Sequence, residues 1–346
     1  MKKKVLVVDD SALMRKAIRN MLERQGYEVI TARNGLEAVE LNLKEKPDVI
    51  TLDVNMPVMD GITALSRIMQ ERPVPVIMVS SLTTEGAIVT LEALNLGAVD
   101  YVTKPGGTIS LNIDQIEEEL LQKLKMALAG VKLRKVSTLR SSPAKRAQIR
   151  TLKKDYLILI GSSTGGPPVV EDILSQLPED FPCPIVIAQH MPPTFTKSFA
   201  ERLDKVCAIR VREVDSPLEL KAGCAYVGKG GTDVVIGKRM GKLYVFAKPE
   251  DPKYNWHPSV EALGKSALEW VDPKKIIAIL LTGMGYDGAE AFTEIKRRGG
   301  FTIAEAEETC VVFGMPRELI ERKGASLVLP NYKIADQLIK ILSQEA

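Results

Sequence analysis

Residues 157–166 read Leu157-Ile158-Leu159-Ile160-Gly161-Ser162-Ser163-Thr164-Gly165-Gly166. Four consecutive aliphatic residues predict a strand buried on both faces, as in a parallel sheet covered by helices. The small residues after it permit a sharp turn, and Pro167-Pro168 suit the first turn of a helix. Strand, tight turn and helix in this order are the building unit of an α/β fold. The turn also satisfies G-x-S-x-G with Ser163 at its centre, which would expose a nucleophile. The same turn could instead bind an anion through its backbone N–H groups. On these ten residues both readings stand open.

Further strands are expected at Pro184–Ala188, Ala225–Val227, Ile276–Leu281 and Phe301–Ala304. His190 follows the first of these, in Gln189-His190-Met191-Pro192. If that strand is parallel and adjacent to 157–160, His190 shares a sheet edge with Ser163. The chain has only two histidines, so imidazole chemistry must use one of them. Asp287 lies after another strand, in Thr282-Gly283-Met284-Gly285-Tyr286-Asp287-Gly288. It is placed to orient His190 as general base for Ser163, with a backbone N–H near Met284 as an oxyanion-hole donor. The other histidine, His257 in Asn255-Trp256-His257-Pro258-Ser259, reads either as a loop or structural residue or as part of the substrate cleft, the first being favoured. A competing motif occupies the same loop. Gly283-x-Gly285-x-x-Gly288, with Glu305 ending the next strand, is a literal dinucleotide fingerprint. It makes no use of Ser163 or His190. Glycines at 228–231 and 237–241 punctuate short strands and predict hairpins, with Lys229–Thr232 as a turn.

The first third of the chain alternates apolar runs (Val5–Val8, Glu28–Thr31, Val49–Leu52, Val76–Val79, Ala98–Val102) with amphipathic stretches. Five strand–helix units predict another parallel sheet with helices on both faces. Asp9 and Asp10 end its first strand, Asp53 its third, and Lys104 follows its fifth. Ligands of open α/β sheets bind at the carboxyl strand ends, where these residues would converge. Three carboxylates together repel one another, and their hard oxygens suit Mg²⁺. Lys104 adds charge for an anion beside the metal, the chemistry of a phosphoryl group carried on Asp53. Ser80, ending the fourth strand, is placed to hydrogen-bond that group.

A length of 346 residues predicts two domains. The apolar fraction of 45% and charged fraction of 26% exclude disorder throughout. No apolar run approaches the roughly 20 residues that span a bilayer. The four-residue run at Val5–Val8 is short of a secretory h-region of about 7–15, so a soluble, cytoplasmic protein is expected. Cys183, Cys207, Cys224 and Cys310 lack C-x-x-C spacing and read as buried thiols, not as a disulfide frame or zinc site. The net charge of +3 is misleading. Residues 131–154 hold nine Lys/Arg and no acid, leaving the remainder at −6. That segment reads as a solvated linker. Alone it would support a DNA-binding output, but the strand-rich second half shows no helix-turn-helix pattern.

Two resemblances are carried by these residues. Residues 1–125 resemble the receiver domain of two-component response regulators, through Asp9-Asp10, Asp53-x-Asn55-Met56-Pro57, Gly61, Ser80 and Lys104-Pro105, with Tyr101 at the aromatic switch position. This implies a (βα)5 domain with sheet order 2-1-3-4-5 and Asp53 as phosphoacceptor. Asp10, Asp53 and the Asn55 carbonyl become Mg²⁺ ligands, with Asp9 assisting. Residues 155–346 resemble the catalytic domain of the chemotaxis receptor methylesterases, the CheB family. The matching stretches are Gly161–Gly166, Gln189–Pro192 and Leu281–Gly288, and a basic linker at 126–154 joins the two domains. The implied fold is a doubly wound α/β domain with a mainly parallel sheet and a hairpin region. The implied reaction is hydrolysis of γ-glutamyl methyl esters on methyl-accepting chemoreceptors, without a cofactor, and often glutamine deamidation as well. Ser163 becomes nucleophile, His190 base, Asp287 its partner and Met284 an oxyanion-hole residue. The phosphodonor would be the chemotaxis histidine kinase CheA, with Ser80 and Tyr101 relaying the charge on Asp53 and so relieving inhibition of the esterase by the receiver. No nucleic-acid partner is expected, membranes are met only through receptors, and a monomer is the expectation.

Overall fold

The five apolar runs of the first third form five strands: β1 (Lys4–Val8), β2 (Glu28–Ala32), β3 (Val49–Asp53), β4 (Val76–Ser80) and β5 (Asp100–Thr103). They pair in parallel in the order β2-β1-β3-β4-β5. The computed structural model describes residues 2–104, 109–131 and 155–343, and the chain divides into two units, Met1–Ser137 and Thr138–Ala346. Helices α1 (Ala12–Arg24), α2 (Gly35–Glu45), α3 (Gly61–Glu71), α4 (Thr84–Asn95) and α5 (Ile109–Leu128) connect or follow the strands. Their starts are marked by Ser11, Asn34, Asp60 and Thr83, whose side chains each accept a backbone N–H of the first turn. Each such cap contributes about 1 kcal/mol. One face of the sheet (Val5, Val7, Ile77, Val102) buries Met14, Ile18 and Leu22 of α1 and Leu120 and Leu124 of α5. Helix α5 continues beyond residue 125 to Leu128. Of the basic linker expected at 126–154, residues 132–154 lie outside the described residues.

The second unit opens with the quoted stretch as β6 (Leu157–Ser162) and α6 (Gly166–Leu174). There follow β7 (Ile185–Gln189), α7 (Pro193–Val206), β8 (Arg210–Val214), β9 (Leu218–Glu219), β10 (Cys224–Gly228), β11 (Asp233–Arg239) and β12 (Lys242–Lys248). Then come α8 (Val260–Trp270), β13 (Ile276–Leu280), α9 (Ala289–Arg297), β14 (Phe301–Glu305), α10 (Met315–Glu321), β15 (Leu327–Leu329) and α11 (Ile334–Ser343). Seven strands form one sheet in the order β15-β14-β13-β6-β7-β10-β8, every pair parallel. Strand order reverses at β6: the chain builds first toward β7 and later returns to add β13 on the other side. That reversal opens a crevice at the carboxyl ends of β6, β7 and β13.

The hairpin expectation needs correction. A hairpin exists between β11 and β12, turning at Met240-Gly241 with φ of 47° and 78°, the backbone of a type I′ turn. The glycines at 228–231 make no hairpin, because β10 lies in the parallel sheet and β11 in a separate antiparallel one, β11-β12-β9. Helix α8 packs Val260, Leu263 and Ala267 into the core shared by Ile236, Leu280 and Phe292. Among the described residues, no helix is long and apolar enough to cross a membrane.

Candidate functional site

In the second unit, Ser163 sits half-buried in the turn between β6 and α6. Its backbone N–H donates to the Thr282 carbonyl after β13 (3.0 Å). On the other side, His190 N–H donates to the Ser162 carbonyl (3.1 Å). Nucleophile turn, histidine and Asp287 loop therefore meet at the strand-order reversal. His190 Nε2 lies 2.8 Å from Asp287 Oδ2. Asp287 is 4% exposed and sits at the amino end of α8. Its carboxylate also accepts Ser259 Oγ (3.0 Å) and the backbone N–H groups of Val260 (2.7 Å) and Glu261 (3.0 Å). Burial pushes its carboxyl up, but His190 and the helix-end N–H groups outweigh that and hold it below the ordinary range. An ionised Asp287 only accepts, so Nε2 must carry the proton it donates. Nδ1 is then the basic nitrogen, and it is buried with no hydrogen-bond partner among the described residues. The ring is thus held in the tautomer a general base needs.

Other residues were not singled out as parts of this site by the sequence reading. Gln189 is buried between the strands; its Oε1 accepts Ser162 Oγ (2.6 Å) and its Nε2 donates to the carbonyls of Ser163 (2.9 Å) and His190 (3.2 Å). Glu305, fully buried, accepts Thr282 N–H (2.8 Å) and Thr309 Oγ1 (2.9 Å). Trp256 stacks on His190, ring centroids 5.4 Å apart and planes 3° from parallel. Gln189 stands beside the histidine in sequence and was the one with a readable signal. His257 faces away from this chemistry in its bonding: its Nδ1 pairs with buried Asp233 (2.9 Å).

The loop of the dinucleotide fingerprint is filled by protein. A Cβ on Gly283 would lie 2.4 Å from Met315 Sδ and 2.7 Å from Ser163 Cβ. Gly285, at φ +84°, has Trp256 within 3 Å of the same construction. These glycines serve close approach of side chains, and Glu305 bonds protein groups in place of a ribose. Half-buried Met284 lies between these two glycines in sequence.

In the first unit, Asp9, Asp10 and Asp53 bring one carboxylate oxygen each within 4.8 Å of one another. Asp9 and Asp53 are buried and Asp10 is exposed. Lys104 Nζ lies 3.0 Å from Asp9 Oδ2 and 2.8 Å from Asp53 Oδ2. Burial pushes Asp53 up to about 6 against the pull of Lys104. Burial also pulls Lys104 down, but the Asp53 and Asp9 charges outweigh it and raise it. Exposed Asn55 follows in the turn after β3. Arg15, unanticipated, donates to the Asp9 (2.7 Å) and Asp10 (2.9 Å) carbonyls. Ser80 Oγ donates to the Gly86 carbonyl of α4 (3.2 Å). Tyr101 is buried, with Lys123 Nζ 5.0 Å from its ring centroid and bonded to its carbonyl.

The donor set fits a hard divalent cation: carboxylate oxygens of which one, Asp10, opens to solvent for water ligands. With its carboxyl pushed up to about 6, Asp53 is half protonated near pH 6 and mostly protonated a unit below it. Mg²⁺ affinity should therefore fall roughly tenfold per pH unit below that point, because proton and metal compete. Calorimetric titrations of the full chain at pH 7.5 and pH 5 check this; equal affinities would remove Asp53 from the ligand set.

The chain matches two family models, CheB methylesterase over residues 158–338 and response regulator receiver domain over residues 5–113. It is 51% identical to protein-glutamate methylesterase/protein-glutamine glutaminase 3 of Rhodospirillum rubrum, across 97% of this chain and 95% of that protein. It is 48% identical to the protein-glutamate methylesterase/protein-glutamine glutaminase of Caldanaerobacter subterraneus, across 100% and 99%. Among solved structures, the CheB methylesterase catalytic domain of Thermotoga maritima aligns with a TM-score of 0.52 at 44% identity, covering 54% of this chain and 98% of that one.

Proposed function

Because this chain belongs to the CheB methylesterase family and carries a response regulator receiver domain, we propose that it is a phosphorylation-activated protein-glutamate methylesterase and protein-glutamine glutaminase. Its substrates are γ-glutamyl methyl esters and glutamines of chemoreceptors, in the cytoplasmic adaptation of chemotaxis. One observation carries the reading. His190 is tied through Nε2 to an ionised Asp287 while its buried Nδ1 is left open at the sheet edge that bears Ser163.

Nδ1 takes the Ser163 proton as Oγ attacks the γ-carbonyl, and the tetrahedral oxyanion is held by the Met284 N–H. The imidazolium returns its proton to the leaving group, methanol from the ester or ammonia from the amide. Water, deprotonated by the same nitrogen, then attacks the acyl-serine, and the imidazolium gives that proton to Ser163 Oγ as glutamate leaves. Every proton step uses one nitrogen, and Asp287 stabilises the charge that forms on the ring. No cofactor takes part.

In the receiver, residues 1–125, Asp53 accepts a phosphoryl group from the histidine kinase CheA. Bound Mg²⁺, on Asp10, Asp53 and the Asn55 carbonyl with Asp9 assisting, would neutralise the phosphoryl oxygens. Lys104, now paired with Asp53, turns to one of those oxygens. Ser80 leaves the Gly86 carbonyl for another, and Tyr101 responds to its movement. This relieves inhibition of the esterase domain, residues 155–346, across the linker at 126–154. The protein works as a monomer and binds no nucleic acid.

The test is methanol release from methylated receptor membranes, with and without Mg²⁺ and a small phosphodonor, with Ser163→Ala as control. No release from folded protein overturns the reading. A second prediction concerns the floor of the site. Gly283→Ala pushes a methyl group against Ser163 Cβ and Met315 Sδ. A displacement near 1 Å costs about 100-fold, so kcat for methanol release should fall by about that factor while circular dichroism stays unchanged.

A further inference from the structure

We propose that Trp256 is a positioning residue for the catalytic base: its indole face fixes the plane of the His190 ring and stabilises the cation formed there during acylation. The inference rests on the esterase reading above and deepens it.

Among the described residues His190 has one side-chain hydrogen bond, from Nε2 to Asp287. A single bond along one ring edge leaves the imidazole free to swing about that axis, which would change where Nδ1 points. Trp256 lies parallel to the ring at 3° with centroids 5.4 Å apart, so swinging would break the stack. The indole is itself held. Tyr286 meets it edge-on, at 5.4 Å and 82°, and the Tyr286 hydroxyl accepts Asn255 Nδ2 (3.1 Å). Gly285 lets the backbone of the Asp287 loop lie against the far rim of the indole, where a Cβ would come within 2.9 Å of Cη2.

The loop carrying Trp256 is anchored from below. Buried Asp233 accepts Asp251 N–H (2.9 Å), His257 Nδ1 (2.9 Å) and Ser259 N–H (3.3 Å). Three bonds from one carboxylate close the loop on both sides of Trp256, which gives His257 a purpose without any contact with substrate. Around the pair lie Asp287 at the imidazole edge, Tyr286 at the indole, and His257, Asp233 and Asp251 beyond the indole. On the indole side the imidazole is stacked by Trp256, so the cation formed there meets a π face, which attracts a positive charge. Trp256 is half-buried, so replacing it should not unfold the domain.

The experiment uses the full-length protein with Trp270, the other tryptophan, changed to Phe. Trp256→Leu should lower kcat for methanol release about tenfold with KM within about twofold, whereas Trp256→Phe, which restores a π face, should recover most of the rate. Trp256 emission should rise in His190→Gln, which removes the stacked imidazole, and stay at the parent level in His257→Gln. An unchanged kcat in Trp256→Leu, a loss carried by KM, or a Phe variant no better than Leu would overturn the inference. So would emission indifferent to His190→Gln. A parent protein without Ser163-dependent methanol release would instead overturn the esterase reading, and the emission measurements would still decide whether the indole senses the imidazole.

Discussion

Replacing Ser163 with Ala should reduce methanol release from methylated receptors by roughly 10⁴–10⁶-fold, and His190→Ala should do the same. The double variant should be little worse than either single one, because nucleophile and base act as a unit. Asp287→Asn should cost about 10⁴-fold for a different reason. The carboxylate accepts from Ser259, Val260, Glu261 and His190, and an amide in its place presents a donor to one of those donors. The imidazole then loses the constraint that keeps Nδ1 unprotonated. Fixed-time methanol assays with each variant, at matched circular dichroism, check the series. A Ser163→Ala protein retaining even a tenth of wild-type release would remove Ser163 as nucleophile. Because Asp287 also ties down the first turn of α8, its variant should in addition lose about 1–3 kcal/mol of stability, whereas exchange at half-buried Ser163 should leave stability nearly unchanged.

The parallel strands were legible because fully buried strands are written as unbroken aliphatic runs. Val5–Val8 and Leu157–Ile160 need no partner to be recognised. The two edge strands of the second unit's parallel sheet carry no such signature. Arg210–Val214 holds three charged residues among two valines, and Leu327–Leu329 is three residues long; the sequence predicts neither. Glycine was the ambiguous letter. At Met240-Gly241 it makes a hairpin, but Gly230 at the foot of α7 packs against the Met191–Pro193 backbone, and the sequence does not distinguish a turn from a close approach.

The same limit applied to the site. Ser163, His190 and Asp287 were singled out because each follows a recognisable strand, and strand ends converge by rule. Trp256 sits in a loop with no periodicity, and attention to the Asn255–Ser259 stretch fell on His257. Only the fold shows that His257 bonds Asp233 while the tryptophan before it covers the other histidine. Glu305 was noticed as a possible ribose ligand, although its carboxylate closes on Thr282 and Thr309. The type of a residue is visible in the sequence; the partner that gives it a role often is not.

Replacing Asp53 with Ala should abolish activation by Mg²⁺ and a small phosphodonor and leave the unstimulated esterase rate within about twofold of wild type. If phosphorylation activates about 100-fold, it must shift the balance between inhibited and open arrangements by roughly 2.7 kcal/mol. The pocket is arranged to make that shift depend on charge. Lys104 bonds Asp53 and Asp9, Ser80 bonds Gly86, and Tyr101 is buried beneath Lys123. A phosphoryl group on Asp53 competes for the first two of these donors at once, and a methyl side chain competes for neither. The variant also has a signature independent of activity. Asp53 is an acid whose folded value, about 6, stands above its ordinary 3.8 because burial disfavours its charge. Between these values the folded state binds more protons than the unfolded one, so wild-type stability falls as pH rises from about 4 to about 6. The fall is limited to about 3 kcal/mol and should be absent from Asp53→Ala. Urea unfolding at pH 4.5 and pH 7, followed through the tyrosines of the receiver, measures it. A variant that is still activated by the phosphodonor would place the phosphoacceptor elsewhere. A variant that loses activation but keeps the wild-type pH dependence would show that the buried charge in this pocket is not that of Asp53.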